Sequence, residues 1–184
     1  GLEAIRVCDS SFFFGCYHSF LGEAIADNGV DIITTMDDVC NEFSEVDSFA
    51  CQHGIGHGVL SYYGYDRDAL DESLATCALI TDKGPAAGCA GGVFMEYNFR
   101  TMSNPEGTTE FMREFDINNP HEPCLDIDER FRGHCYYEQP NLWKHAFDWD
   151  YFKMGSLCNE APDENLVQIC IDSLGYSTLI NNEY

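Results

Sequence analysis

Basic residues are scarce in this chain. Nine Lys and Arg stand against 32 Asp and Glu in 184 residues, a formal net charge of −23. No basic patch is available to meet a phosphate backbone, which excludes nucleic-acid binding. Docking on an anionic membrane through a polybasic face is excluded for the same reason. No apolar run approaches the ~18 residues that a membrane-spanning helix requires. Several motifs that fix a chemistry are also missing. There is no C-x2-C of zinc ribbons, no G-x-S-x-G elbow, no Walker A sequence and no C-x-x-C-H haem attachment. Gly88-Cys89-Ala90-Gly91-Gly92 is rich in glycine, but it lacks the G-x-G-x-x-G spacing and the preceding strand of a dinucleotide site. The chain opens at Gly1 with neither start methionine nor signal peptide and reads as a mature or excised segment. Its acidity is not that of a disordered polymer, because 45% of the residues are hydrophobic and 14% aromatic, enough to build a core.

Cysteine, by contrast, is abundant. The ten cysteines fit either five disulfides in an oxidising compartment or thiolate metal sites in a reducing one. The absence of C-x2-C favours disulfides. In chain order the cysteines form five pairs: Cys8/Cys16, Cys40/Cys51, Cys77/Cys89, Cys124/Cys135 and Cys158/Cys170, separated by 8, 11, 12, 11 and 12 residues. The second members recur at intervals of 35, 38, 46 and 35, the period of helical-hairpin repeats. After each second cysteine of the first three pairs comes an apolar stretch of helical length. Before the third pair, Ala69, Leu70, Leu74 and Cys77 mark one helix face. The expected fold is all-α: a single domain over 1–184 of disulfide-stapled helical-hairpin repeats, a TPR/Sel1-like solenoid of four to five units. The 46-residue interval holds an insertion at about 101–123, bounded by turn clusters, with a short helix expected from Thr109 to Phe115. Pro140 falls inside the long helix of the fourth unit, where it is expected to break or kink it.

The same register places candidate ligands. His18 and His53 each stand two residues after the second cysteine of their pair, and His57 follows His53 by four. Equivalent positions on successive repeat helices lie side by side, about 10 Å apart between axes. Residues four apart on one helix share a face, the spacing that zinc helices use. Such a pair alone is as common in hydrogen-bonded cores; the third histidine in register favours a metal. Glu23 and Glu96, each seven residues after a helix-opening cysteine, can complete the site, orient a histidine or accept a proton. Glycines crowd the region, at 54, 56, 58, 91 and 92, at a cost of about 1 kcal/mol each in a helix. They are expected to serve close helix packing or room for a metal and small substrate. Tyr62, Tyr63, Tyr65, Tyr97, Tyr136 and Tyr137 line a pocket or, more commonly, pack in a core. His121, His134 and His145 read as structural or surface residues.

Cys51-Gln52-His53-Gly54-Ile55-Gly56-His57-Gly58, with Cys16-Tyr17-His18 before it and Gly88-Cys89-Ala90-Gly91-Gly92-Val93-Phe94-Met95-Glu96 after it, resembles the Cys-Gly-His-rich domain associated with the theta-class carbonic anhydrases of algal plastids. The resemblance covers residues 8 to 100; beyond them the cysteine rhythm continues without the histidines. It implies a Zn2+ enzyme, a carbonate dehydratase-type lyase that hydrates CO2 to bicarbonate. His18, His53 and His57 are then the zinc ligands, and Glu96 or Glu23 the catalytic proton carrier. Val59, Phe94 and Met95 form the wall of the substrate pocket. It further implies the thylakoid lumen, and possible further copies of the domain in a longer chain. Without the resemblance the address is any oxidising compartment, secreted or periplasmic included. Activities of this kind also use Cys/His zinc sets, and a thiolate ligand at Cys51 or Cys89 would remove one disulfide. The alternative function is a non-catalytic extracytoplasmic interaction module with a structural or buffering metal. Partners other than CO2 and bicarbonate are not indicated: no nucleic acid and no membrane insertion.

Overall fold

Aspartates cap the start of three helices, and the paired cysteines mark where the short ones end. The computed structural model describes residues 2–8, 11–104, 110 and 112–181, and these form helices and turns without a strand. Two compact units divide the chain, Gly1–Arg113 and Glu114–Tyr184. Their boundary falls inside the insertion. The first unit holds a short 3-10 helix (Leu2–Val7), then α1 (Ser11–Asn28), α2 (Ile33–Cys40), α3 (Glu45–Tyr63), α4 (Arg67–Cys77) and α5 (Gly88–Phe99). The second holds α6 (Arg132–Ala146), α7 (Tyr151–Cys158) and α8 (Glu164–Asn181). Among the described residues no helix is long and apolar enough to cross a membrane.

All ten cysteines are paired, in the sequential order expected: Cys8–Cys16, Cys40–Cys51, Cys77–Cys89, Cys124–Cys135 and Cys158–Cys170. Such a set belongs to an oxidising environment. The short helices α2, α4 and α7 each end on the first cysteine of a pair. Helix α5 opens beside its cysteine, Cys89, as the pattern suggested, but α1, α3 and α8 begin well before theirs. Cys16 is the sixth residue of α1, and Cys51 and Cys170 are the seventh of α3 and α8. Caps upstream account for part of this. The Asp163 carboxylate accepts from the Leu166 N–H at 3.0 Å and starts α8 early. Asp66 accepts from the Ala69 N–H at the head of α4, and Asp150 from the Lys153 N–H at the head of α7. Each satisfies an N–H that has no partner within its helix. Each disulfide therefore ties the end of one segment to the first or second turn of a long helix. A ring this small removes about 2–3 kcal/mol of unfolded-chain entropy.

In the first unit α3 packs between α1 and α5. All three run in the same direction: Gly54 meets Tyr17 and Leu21 of α1 while Gly58, one turn on, meets Gly22 and Ile25, and on the other side His53 lies against Gly91 while His57 meets Glu96. Gly56 faces the other neighbour. A Cβ there would stand 2.0 Å from the Cys89 carbonyl oxygen, and a Cβ on Gly92 would stand 1.9 Å from that of His53. No side chain fits at either position, so the backbones of α3 and α5 lie in direct contact. The glycines expected to serve either close packing or an open site are thus used for close packing. Asp37, buried on α2, joins its own helix to α3 and to the loop after α4. It accepts from the Gln52 side chain and from the Thr81 N–H and hydroxyl at 3.0 and 2.9 Å.

In the second unit α6 and α7 pack on α8 around Trp143, Tyr136, Leu142 and Met154. The turns before Cys124 are held to α6 by its side chains: Trp143 Nε1 and Gln139 Nε2 both donate to the Pro120 carbonyl at 2.9 Å. Pro140 does not end the helix, which continues through it to Ala146. The short helix expected from Thr109 to Phe115 is not formed over residues 112–115, while 105–109 and 111 lie outside the described residues. His121 and His134 are buried and His145 is exposed.

Gly56→Ala and Gly92→Ala each destabilise the chain by about 3 kcal/mol or more, whereas Gly175→Ala in α8, with nothing within 4 Å, leaves it unchanged or stabilises it by about 0.5–1 kcal/mol. Chemical denaturation of the three variants checks the contrast. Burial pushes the Glu138 carboxyl up to about 7, against the opposing effects of Asn141 and Lys144. Between its ordinary 4.5 and about 7 the folded chain holds a proton that the unfolded chain releases, so stability falls as pH rises through that window and levels off above it. Glu138→Gln removes this slope and raises stability in mildly alkaline buffer by about 1–3 kcal/mol, read from denaturation midpoints across pH.

Candidate metal centre

The direct contact of α3 with its neighbours brings three histidines together. His53 and His57 lie one turn apart on α3, and His18 comes from the adjacent α1. One ligand nitrogen from each ring can be chosen so that all three lie within 4.8 Å of one another. The ring centroids stand 4.7 Å (His18–His57), 4.9 Å (His53–His57) and 5.8 Å (His18–His53) apart. A tetrahedral ion with nitrogen ligands at 2.0–2.1 Å needs those atoms about 3.3 Å apart, within reach of small side-chain rotations. Gly91 holds in the third repeat the position that His18 and His53 hold in theirs. Its missing side chain leaves the His53 ring room, Nδ1 lying 3.4 Å from where a Cβ would be.

His57 forms the floor of the site. Its side chain and that of Glu96 are both fully buried, and Nδ1 lies 2.8 Å from Glu96 Oε2. Thr101 Oγ1 stands 2.9 Å from the same nitrogen and donates to Glu96 Oε2. The Tyr65 hydroxyl donates to Glu96 Oε1 at 2.7 Å, and the Met102 N–H reaches both carboxylate oxygens at 3.1 Å. Burial alone pushes the Glu96 carboxyl up, but His57 and the hydrogen bonds from Thr101 and Tyr65 outweigh it and hold the group below its ordinary value. On the other side of the ring, His57 Nε2 is buried with no hydrogen-bond partner. An unmatched buried polar atom carries a desolvation penalty of about 1–3 kcal/mol, which a metal bond would remove.

His18 and His53 are partly exposed and form the rim. Burial, then the neighbouring His57, lowers the His18 pKa to about 4. His53 is held well below the ordinary histidine value by burial and by the two other rings. Crowded imidazoles of this kind stay neutral, which keeps their lone pairs free for a cation. Three imidazole nitrogen donors suit zinc and its neighbours in the first transition row.

Glu23 is solvent-exposed on α1 and is not part of the histidine group. Val59 and Phe94 are fully buried, but each stands two residues, about 200° of helix rotation, from His57 and Glu96 respectively. Met95 is partly exposed on α5. Thr101 and the Met102 amide carried no sequence signal, since they enter the site through the chain reversal after α5. Tyr65 stood out only as one tyrosine among six. No protein-family model, curated protein or solved structure matches the chain.

The geometry predicts one divalent metal per chain, measured by elemental analysis of untagged protein after zinc loading. His53→Ala and His57→Ala lower zinc affinity by at least about a hundredfold, and Glu23→Ala leaves it unchanged.

Proposed function

We propose that His18, His53 and His57 hold zinc and that the chain is a carbonate dehydratase-type lyase interconverting CO2 and bicarbonate. One observation carries this: among the described residues the ligand group consists of three histidines and no fourth protein ligand. Three imidazoles with an open position are the donor set of catalytic zinc, whereas structural zinc is closed by four. The disulfides support the same set, since with every cysteine paired no thiolate is left to replace a histidine. Zinc bound there would supply a water acidified toward neutral pH and a positive charge beside it.

The chain's own residues would divide the remaining work. His57 anchors the metal from the buried side. His18 and His53 leave the solvent side open to a small substrate. CO2 is neutral, so the surrounding negative charge does not repel it. As a fold, the succession α1, α3, α5 in the first unit, each closed by a disulfide, supports a TPR/Sel1-like repeat. The oxidising compartment is then the thylakoid lumen that the resemblance implies, or a secreted or periplasmic one.

Stopped-flow CO2 hydration by zinc-loaded protein tests the reading. Hydration above the buffer rate is expected, abolished by chelator and by His57→Ala and restored to the wild-type chain by zinc. A fully loaded chain with no rate above buffer would contradict the enzyme and leave an interaction module with a structural or buffering metal.

A further inference from the structure

We infer that Glu96, with Thr101 and Tyr65, is a positioning residue that fixes the tautomer of His57, with the proton on Nδ1 and the lone pair on Nε2, the atom left for the metal. The inference rests on the metal-centre reading for its purpose but not for its geometry. Two oxygens stand at hydrogen-bond distance from Nδ1, Glu96 Oε2 at 2.8 Å and Thr101 Oγ1 at 2.9 Å. The Thr101 proton is committed to Glu96, so Thr101 offers the ring only lone pairs. A bare Nδ1 would set its own lone pair against both acceptors. A proton on Nδ1 satisfies both at once. The opposite tautomer would also leave an N–H on Nε2, buried without an acceptor, where a hydrogen-bond donor is costly.

The carboxylate is itself held from several sides. Tyr65 occupies Oε1, Thr101 and His57 occupy Oε2, and the Met102 amide bridges both. Glu96 is 0% exposed, and its oxygens are taken up by His57, Thr101, Tyr65 and the Met102 amide. The proton-carrying role expected of it from sequence gives way to one exercised through His57. A carboxylate on the far nitrogen of a metal-binding histidine sets ring orientation and raises ligand basicity.

The segment after α5 is built to deliver these groups. Arg100 takes a left-handed conformation, φ 50°, which a residue with a side chain rarely adopts, and turns the chain back over the helices. Its guanidinium lies over the Tyr65 ring at 4.9 Å. Ser103 Oγ stands 3.2 Å from the Tyr65 hydroxyl. The Met102 methyl sits 2.0 Å from where a Cβ on Gly22 would be, so glycine on α1 makes the seat for this reversal. Thr101, Met102 and Ser103 thus each contact the site or its support.

The test reads the ring directly. Long-range proton–nitrogen NMR on 15N-histidine-labelled, metal-free protein should show His57 protonated on Nδ1 and bare on Nε2. Glu96→Gln should disturb that signature and weaken zinc binding, measured by competition with a chromogenic chelator, by about 10–100-fold. Thr101→Val should do the same to a smaller degree, with Thr101→Ser restoring both. A proton on Nε2 in the wild-type protein would overturn the inference. So would folded Glu96→Gln and Thr101→Val chains with unchanged tautomer and unchanged zinc affinity. If the wild-type chain binds no zinc, the metal reading fails on its own, and the tautomer of the metal-free ring still decides this point.

Discussion

The backbone of α3 touches the backbones of its neighbours, and the rest of the first unit depends on that contact. With Gly54 and Gly58 toward α1 and Gly56 toward α5, against Gly92, glycine occupies the closest points of contact on helix α3. Helices separated by ordinary side chains sit 8–10 Å apart; glycine at the crossing lets them approach more closely. His18 and the α3 histidines therefore meet ring to ring, and His57 lies within hydrogen-bond distance of a carboxylate on the opposite helix. An alanine at the tightest points would push α5 outward and separate His57 from Glu96. The glycines cost helix stability individually, and the disulfides offset that cost by constraining the unfolded chain at the start of each long helix.

Electrostatics then divides the centre into a neutral rim and a charged floor. Crowding and burial keep His18 and His53 uncharged, while Glu96 keeps its charge because its oxygens are surrounded by donors. A divalent cation would face three lone pairs and one nearby negative charge. The second unit repeats the cysteines but not this chemistry. The position two residues after its cysteines carries Tyr137 and Asp172 in place of histidine, and its buried carboxyl, Glu138, meets an asparagine rather than a histidine.

The disulfide pairing and the ends of α2, α4 and α7 were legible because each depends on a residue whose role is local: a cysteine in fixed rhythm. The histidine cluster was legible because a repeat converts equal sequence offsets into side-by-side positions. The start of α5 beside Cys89 was legible, but those of α1, α3 and α8 were read too late; at α8 the Asp163 cap outweighs the nearby cysteine in deciding where hydrogen bonding begins. Val59 and Phe94 drew attention as apolar neighbours in sequence, and both are buried. Thr101 and Met102 left no trace, because a chain reversal at a left-handed arginine is a tertiary event that no short pattern encodes.

The ligand set is the central claim, and X-ray absorption at the zinc edge of the loaded protein reads it most directly. The account predicts a first shell of three imidazole nitrogens and one further oxygen at about 2.0–2.1 Å. Sulfur at about 2.3 Å, or a shell without imidazole scattering, would contradict it.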